Sequence, residues 1–357
     1  MKIIAILLTN LLTFSALAQE NKPKTLKNQP TIKNIFHGSD VVWGFDFLDQ
    51  NRIIFTEKSG SIRIVQLDTG KIMNVENVPP TQIHGQGGLM DIALHPDFKT
   101  NDLLYFSFTV KIKDAYETRI ARARLSNNKL EDVKALFTSD SNSKREQHFG
   151  SRIVFDRKGH IFFSIGERGE RDNAQELNIA AGKIFRLNED GTVPSDNPFV
   201  NQKGPIAAIW SYGHRNPQGL YYDAKTGILW EQEHGPRGGD EINIIEKGKN
   251  YGWPVITYGR EYHGPTIGTT HKQGMEQPIY QFTPSIAPSG LCMHQGYLYS
   301  GSLALTHLNR LWIDGKKIVR EERMLEHLNE RFRNVKVGPD DLLYASTDSG
   351  KIFRIKL

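Results

Sequence analysis

Residues 48–67 read LDQNRIIFTEKSGSIRIVQL: a turn, an apolar run, a polar break with glycine, then a second run. In the first run Ile53, Ile54 and Phe55 are consecutive, so both faces of an extended chain need cover. The break at Lys58-Ser59-Gly60 and the alternation Ile62, Arg63, Ile64 mark the return strand of a hairpin. The unit recurs as NDLLYFSFTV at 101–110, DRKGHIFFSIGERG at 156–169 and DAKTGILWEQEHG at 223–235. It recurs again as HQGYLYSGSL at 294–303 and PDDLLYASTDSGKIFRIKL at 339–357. Strands apolar on both faces are covered when hairpins stack face to face. Repetition around a ring achieves this and leaves only short sheet edges. Six copies predict an all-β, six-bladed propeller over 31–357, with a β-sandwich as the alternative.

The remaining composition agrees. Among 357 residues are 32 glycines, 16 prolines and 10% aromatics, a mixture of turn formers and strand-favouring rings. Net charge is +5 from 45 basic and 40 acidic residues, well interspersed, which gives no footprint for nucleic acid. A single cysteine, Cys292, excludes an intramolecular disulfide and every CxxC site, and reads as a small buried apolar residue. GxGxxG, P-loop, HExxH and GxSxG patterns are absent. Residues 1–18, MKIIAILLTNLLTFSALA, carry an early lysine, an apolar stretch and an A-x-A end. They read as a signal peptide, predicting a periplasmic protein without membrane insertion. The polar residues 19–30 read as a loose arm.

Four segments place glycine beside polar residues where strands should begin or end. His84-Gly85-Gln86-Gly87-Gly88 lets backbone approach a partner closely and holds Gln86 outward. His148, in QHFGSR before a strand, is a candidate general base, although a lone histidine is more often a structural hydrogen-bonder. Arg215, Asn216 and Gln218, stiffened by Pro217, can fan donors toward carboxylates or carbonyls. Gly235-Pro236 bends the chain and turns carbonyls outward, and with Asp240 and Glu241 it offers oxygens suited to calcium.

Together GQGGLMDIALHPDF, HFGSRIVFD, SYGHRNPQGL, EHGPRGGDEIN and GKNYGWP resemble the soluble quinoprotein glucose and aldose sugar dehydrogenases, which use pyrroloquinoline quinone (PQQ) and calcium. The resemblance covers most of the chain. It implies a six-bladed propeller that oxidises aldoses at C1 to the lactone and passes electrons to an external acceptor. It assigns His148 as the base and Arg215, Asn216 and Gln218 as the quinone's polar clamp. Gln86 becomes a cofactor or substrate contact. Gly235 and Pro236 become carbonyl ligands to the calcium at the quinone, and Glu241 and Tyr251 belong to a second calcium site. Arg331 and Arg333 match a pair that binds the quinone's carboxylates, and Ser349 lies where a threonine is usual. One departure stands out. Ala304 occupies the position of a lysine that grips the quinone, and Lys272, Arg310 and Lys316 are candidates to compensate. Two other classes stay open: a propeller that binds without catalysis, and a calcium-dependent lactonase-type hydrolase.

Overall fold

The computed structural model describes residues 23–357. The 1–18 leader and the start of the arm lie outside them. Six small sheets are arranged around an axis; in four of them the strands follow chain order from the axis outward, and in the other two an N-terminal strand is added at the outer edge. The expected propeller is observed, and the sandwich alternative falls. The innermost strands are Val42–Phe47, Leu89–Leu94, Ile153–Phe155, Pro217–Asp223, Pro288–His294 and Phe332–Val337. They touch one another around the channel.

Each of the six sequence copies contains the second strand of one blade, which explains why those strands read so clearly. A second strand has sheet neighbours on both edges and adjacent blades on both faces. Accordingly Phe55, Phe106, Phe163, Trp230, Tyr299 and Tyr344 are all fully buried. Six apolar clusters fill the seams between neighbouring blades. One joins the first blade (Ile54, Ile64) to the second (Leu89, Phe106). Another joins the sixth (Tyr344, Ile352) back to the first (Phe45, Phe55). Each seam is a sheet-on-sheet core, so no blade buries its faces alone.

The ring is closed by hydrogen bonds. Thr31–His37 supplies the outer strand of the last blade, running antiparallel to Lys351–Lys356 from Thr31 opposite Lys356 to His37 opposite Lys351. Both ends of the domain therefore share one sheet. The expectation of a loose arm over 19–30 is corrected in part. Lys24–Thr25 pairs parallel with Glu322 and Arg323 on the outer edge of the fifth blade. Gln29 Oε1 accepts the Leu325 amide at 2.7 Å. An outer blade edge leaves unpaired backbone groups, and they recruit whatever extended segment lies near. Cys292 is buried, as expected. Among the described residues no helix is long and apolar enough to cross a membrane.

Candidate active site

In each blade the first strand begins and the second strand ends at the same rim of the ring. Val42 lies opposite Glu57, Pro217 opposite Glu233 and Phe332 opposite Thr347. The loops entering the first strands carry Gln86, His148 and Arg215. The ends of the second strands carry Glu167, Glu233 and Asp348. Topology alone thus gathers these side chains at one mouth.

His148 sits in a left-handed turn, φ 61°. Its amide donates to Gln86 Oε1 at 2.9 Å, so the glycine-rich loop of the second blade fixes the histidine of the third. A Cβ on Gly166 would lie 2.3 Å from the His148 carbonyl oxygen, and only glycine permits that approach. His148 Nδ1 is 2.7 Å from Glu167 Oε1, and both side chains are buried. Burial pushes the imidazole below its ordinary 6.5; the Glu167 hydrogen bond opposes this, and Arg215 adds to it. The ring is therefore neutral at pH 7. Glu167 accepts only, so Nδ1 carries the proton and Nε2 keeps a free lone pair. Glu167 therefore orients the ring.

Arg215 donates to the carbonyls of His234 at 2.9 Å and Gly235 at 3.0 Å, and its guanidinium lies over the Trp253 ring at 5.3 Å. Asn216 faces inward, where its Oδ1 accepts the Gly150 amide at 3.2 Å. It braces the His148 turn and lies outside the cleft. Gln218 lines the cleft and donates to the Gly150 carbonyl at 3.0 Å. His234 spans from Asn216 Nδ2 to the Pro288 carbonyl; burial first, then Arg215, pushes its pKa down to about 3.

The cleft holds ≈ 360 Å³. Trp43, Met90 and Phe149 form its apolar part, and Lys58, Gln86, His234, Arg331, Arg333 and Asp348 its polar part. Arg331 and Arg333 both bind Asp348, at 2.8 and 2.7 Å. Burial would raise the Asp348 carboxyl, but the two guanidiniums hold it below the usual range. Ser349 is directed elsewhere: its hydroxyl donates to Glu330 at 2.6 Å, and it does not line the cleft.

A smaller hollow beside Arg215 is lined by Glu233, Gly235, Glu241, Tyr251 and Trp253. Along Ile228–Glu233 the side chains of Glu231 and Glu233 fall on one face, and Glu241 lies directly opposite Glu233 on the next strand. Ligand atoms of His214, Glu231 and Glu233 lie within 4.8 Å of one another. Glu233 Oε2 accepts from the Arg215 amide at 2.5 Å and the Asn216 amide at 3.2 Å. Burial, and then the Glu233 charge, drives the carboxyls of Glu231 and Glu241 far above the usual range. Glu231 Oε1 has no hydrogen-bond partner among the described residues. Like charges this close are stable only when protonated or countered by a cation. The Tyr251 hydroxyl is taken by the Ile244 carbonyl at 2.6 Å and the Glu246 amide at 2.9 Å. The Pro236 carbonyl already accepts from the Gly239 amide at 2.8 Å and the Ser285 hydroxyl at 3.2 Å, so it is less free to ligate than Gly235.

Glu167, Asp348, Lys58 and the Glu231–Glu233 pair escaped the sequence reading. A signal existed. TEKSG, GERG, EHGP and TDSG all place an acidic residue where a buried second strand meets a glycine turn. The repeat carries the acids to the mouth in four blades.

Residues 39–354 match the glucose/sorbosone dehydrogenase family. The aldose sugar dehydrogenase YliI of Escherichia coli (strain K12) is 38% identical over 333 residues, spanning 88% of this chain and 90% of that protein. A solved glucose dehydrogenase superposes with a TM-score of 0.89 at 38% identity, covering 92% of this chain and 100% of its own. The PQQ-bound aldose sugar dehydrogenase of Streptomyces coelicolor superposes with a TM-score of 0.79 at 27% identity, covering 94% and 99%. With a match over most of its length and a fold shared from end to end, the chain belongs to the glucose/sorbosone dehydrogenase family.

Proposed function

We propose that this protein oxidises aldose sugars at C1 to the lactone, with PQQ and calcium as cofactors and His148 as the general base. The observation that carries the reading is the buried His148–Glu167 pair, held by Gln86 directly behind a cleft whose lining includes Lys58, Arg331 and Arg333. The residues present fit a flat tricarboxylate. Arg331, Arg333 and Lys58 gather at one end, Trp43 supplies a ring surface, and Asp348 holds the arginines in place. They also fit a cation, because the unpartnered oxygen of Glu231 lies among buried carboxylates.

When bound, PQQ supplies the two-electron acceptor for the hydrogen at sugar C1. The protein's part is proton removal and positioning. His148 Nε2 accepts the proton of the C1 hydroxyl, and Glu167 stabilises the imidazolium that results. Arg215, beside His148, favours negative charge in the site. Gln218 and Gln86 fix polar groups of the bound molecules, and Asn216 keeps the His148 turn rigid. Gly235, with Pro236 as a poorer donor, would offer a carbonyl to calcium. Glu241 and the carbonyl of Tyr251 would hold a second ion, with Glu231 and Glu233 lending charge. An external acceptor then re-oxidises the enzyme, and the 1–18 leader sends it to the periplasm.

The test is reconstitution of purified protein with PQQ and calcium, followed by an aldose panel with an artificial dye as acceptor. Sugar-dependent dye reduction that requires both cofactors is expected. Failure to take up PQQ at micromolar concentration with calcium present refutes the proposal.

A further inference from the structure

Ala304 is exposed at the rim, and none of the three cations expected to replace the lysine there lies in the cleft. Arg310 is committed to Glu322 at 2.8 Å. Lys316, in a hairpin turn, lies 3.7 Å from Glu246. Lys272 is exposed on a loop outside the cleft lining. The lysine that does line the cleft is Lys58, from the turn between the second and third strands of the first blade.

Its placement is fixed from both sides. The Lys58 amide donates to the Val41 carbonyl at 3.0 Å, and its own carbonyl accepts the Leu89 amide at 3.0 Å. A Cβ on Gly88 would come within 2.8 Å of Lys58 Cγ, so the glycine-rich loop packs directly on the lysine stem. The ammonium donates to the Gly85 carbonyl at 2.6 Å, its one hydrogen-bond partner among the described residues. An ammonium has three donors, so two remain for a ligand. Burial, and then the neighbouring Arg333, lowers its pKa, as expected for a cation beside another cation with an anion still to come.

We infer that Lys58 supplies the third cationic contact to the carboxylates of the bound quinone, replacing from the first blade the lysine that Ala304 lacks in the fifth. This rests on the proposed PQQ site and deepens it. The contact is charge-assisted and leaves the Gly85 bond intact. It ties the cofactor to the loop that also positions His148 through Gln86.

The test is a binding titration of purified apo-protein with PQQ in the presence of calcium, read by quenching of tryptophan fluorescence, Trp43 being in the cleft wall. Lys58→Met should raise Kd by about 10- to 100-fold, and Lys58→Arg by no more than about threefold. The same titrations with the trimethyl ester of PQQ separate charge from loop packing. The wild-type to Lys58→Met ratio should fall to within about twofold for the ester, because its carboxylates are masked. An unchanged Kd in Lys58→Met overturns the inference. So does a loss that persists undiminished with the ester, which would place the effect in the loop. A wild-type protein that binds no PQQ refutes instead the functional reading beneath it.

Discussion

Replacing Glu167 by glutamine tests the catalytic arrangement most directly. The carboxylate lies 2.7 Å from His148 Nδ1, and both groups are buried, so the bond is charge-assisted and poorly screened. Glutamine keeps the shape and an acceptor but removes the charge that stabilises an imidazolium. A charge-assisted hydrogen bond contributes about 1.5–3 kcal/mol, so turnover should fall roughly 10- to 100-fold. Direction follows from the same bond. Burial already sets the His148 pKa below 6.5, and Glu167 is the main group pulling it back up. Without that charge the pKa drops further, and the acid limb of kcat/KM should move to lower pH. The assay is steady-state dye reduction from pH 4.5 to 9 on reconstituted enzyme, with PQQ affinity measured alongside. His148→Ala should cost roughly 10²–10⁴ in turnover, and adding Glu167→Gln to it should cost little more. Turnover within twofold of wild type, or an acid limb that moves upward, would refute the argument. So would additive losses in the double variant, because two residues acting through one proton transfer cannot be independent.

Three other outcomes follow from the structure. Phe36→Ala removes a ring 4.6 Å from Phe55 at the seam where the ring closes, and should cost about 3–5 kcal/mol by denaturant titration; a loss under 1 kcal/mol would mean that the closing strand contributes little. Gly166→Ala forces a Cβ to 2.3 Å from the His148 carbonyl, so thermal stability and turnover should fall together, and unchanged turnover would show that the turn can shift freely. Without metal, the raised pKa values of Glu231 and Glu241 mean that the folded state binds more protons than the unfolded one, so their contribution is full at acid pH and is lost as pH rises through the folded values. Calcium should therefore raise the melting temperature more at pH 8 than at pH 5, the whole stabilisation at pH 8 being about 2.7 kcal/mol at a hundredfold excess over Kd, and Glu231→Gln should shrink that gain; a calcium response independent of pH would argue against the cluster as a cation site.

What could be read from the chain, and what could not, divides along a physical line. The second strands are legible because burial on both faces forces an uninterrupted apolar run, as in Ile161-Phe162-Phe163. The outer strands are not. Lys129–Thr138 is mostly exposed, and Lys317–Met324, KIVREERM, has a composition that suits a helix equally well. A hydrogen-bonded neighbour decides their conformation, and local sequence carries little trace of it. The mouth divides in the same way. His148, Arg215 and Gln86 stand out because they need glycine turns, and a glycine turn is visible locally. Their partners need nothing local. An acid before a glycine looks like any solvated turn until the ring places Glu167 against His148 and Asp348 against two arginines. Lys58 is the extreme case. In TEKSG it is an ordinary hairpin lysine, and only the packing of the Gly85–Gly88 loop on its stem turns the ammonium toward the cleft. An ion contact depends on where a charge ends up, not on which blade supplies it. A rigid ring presents several turns to the same volume, so a cation lost from the fifth blade can be supplied by the first without disturbing either seam.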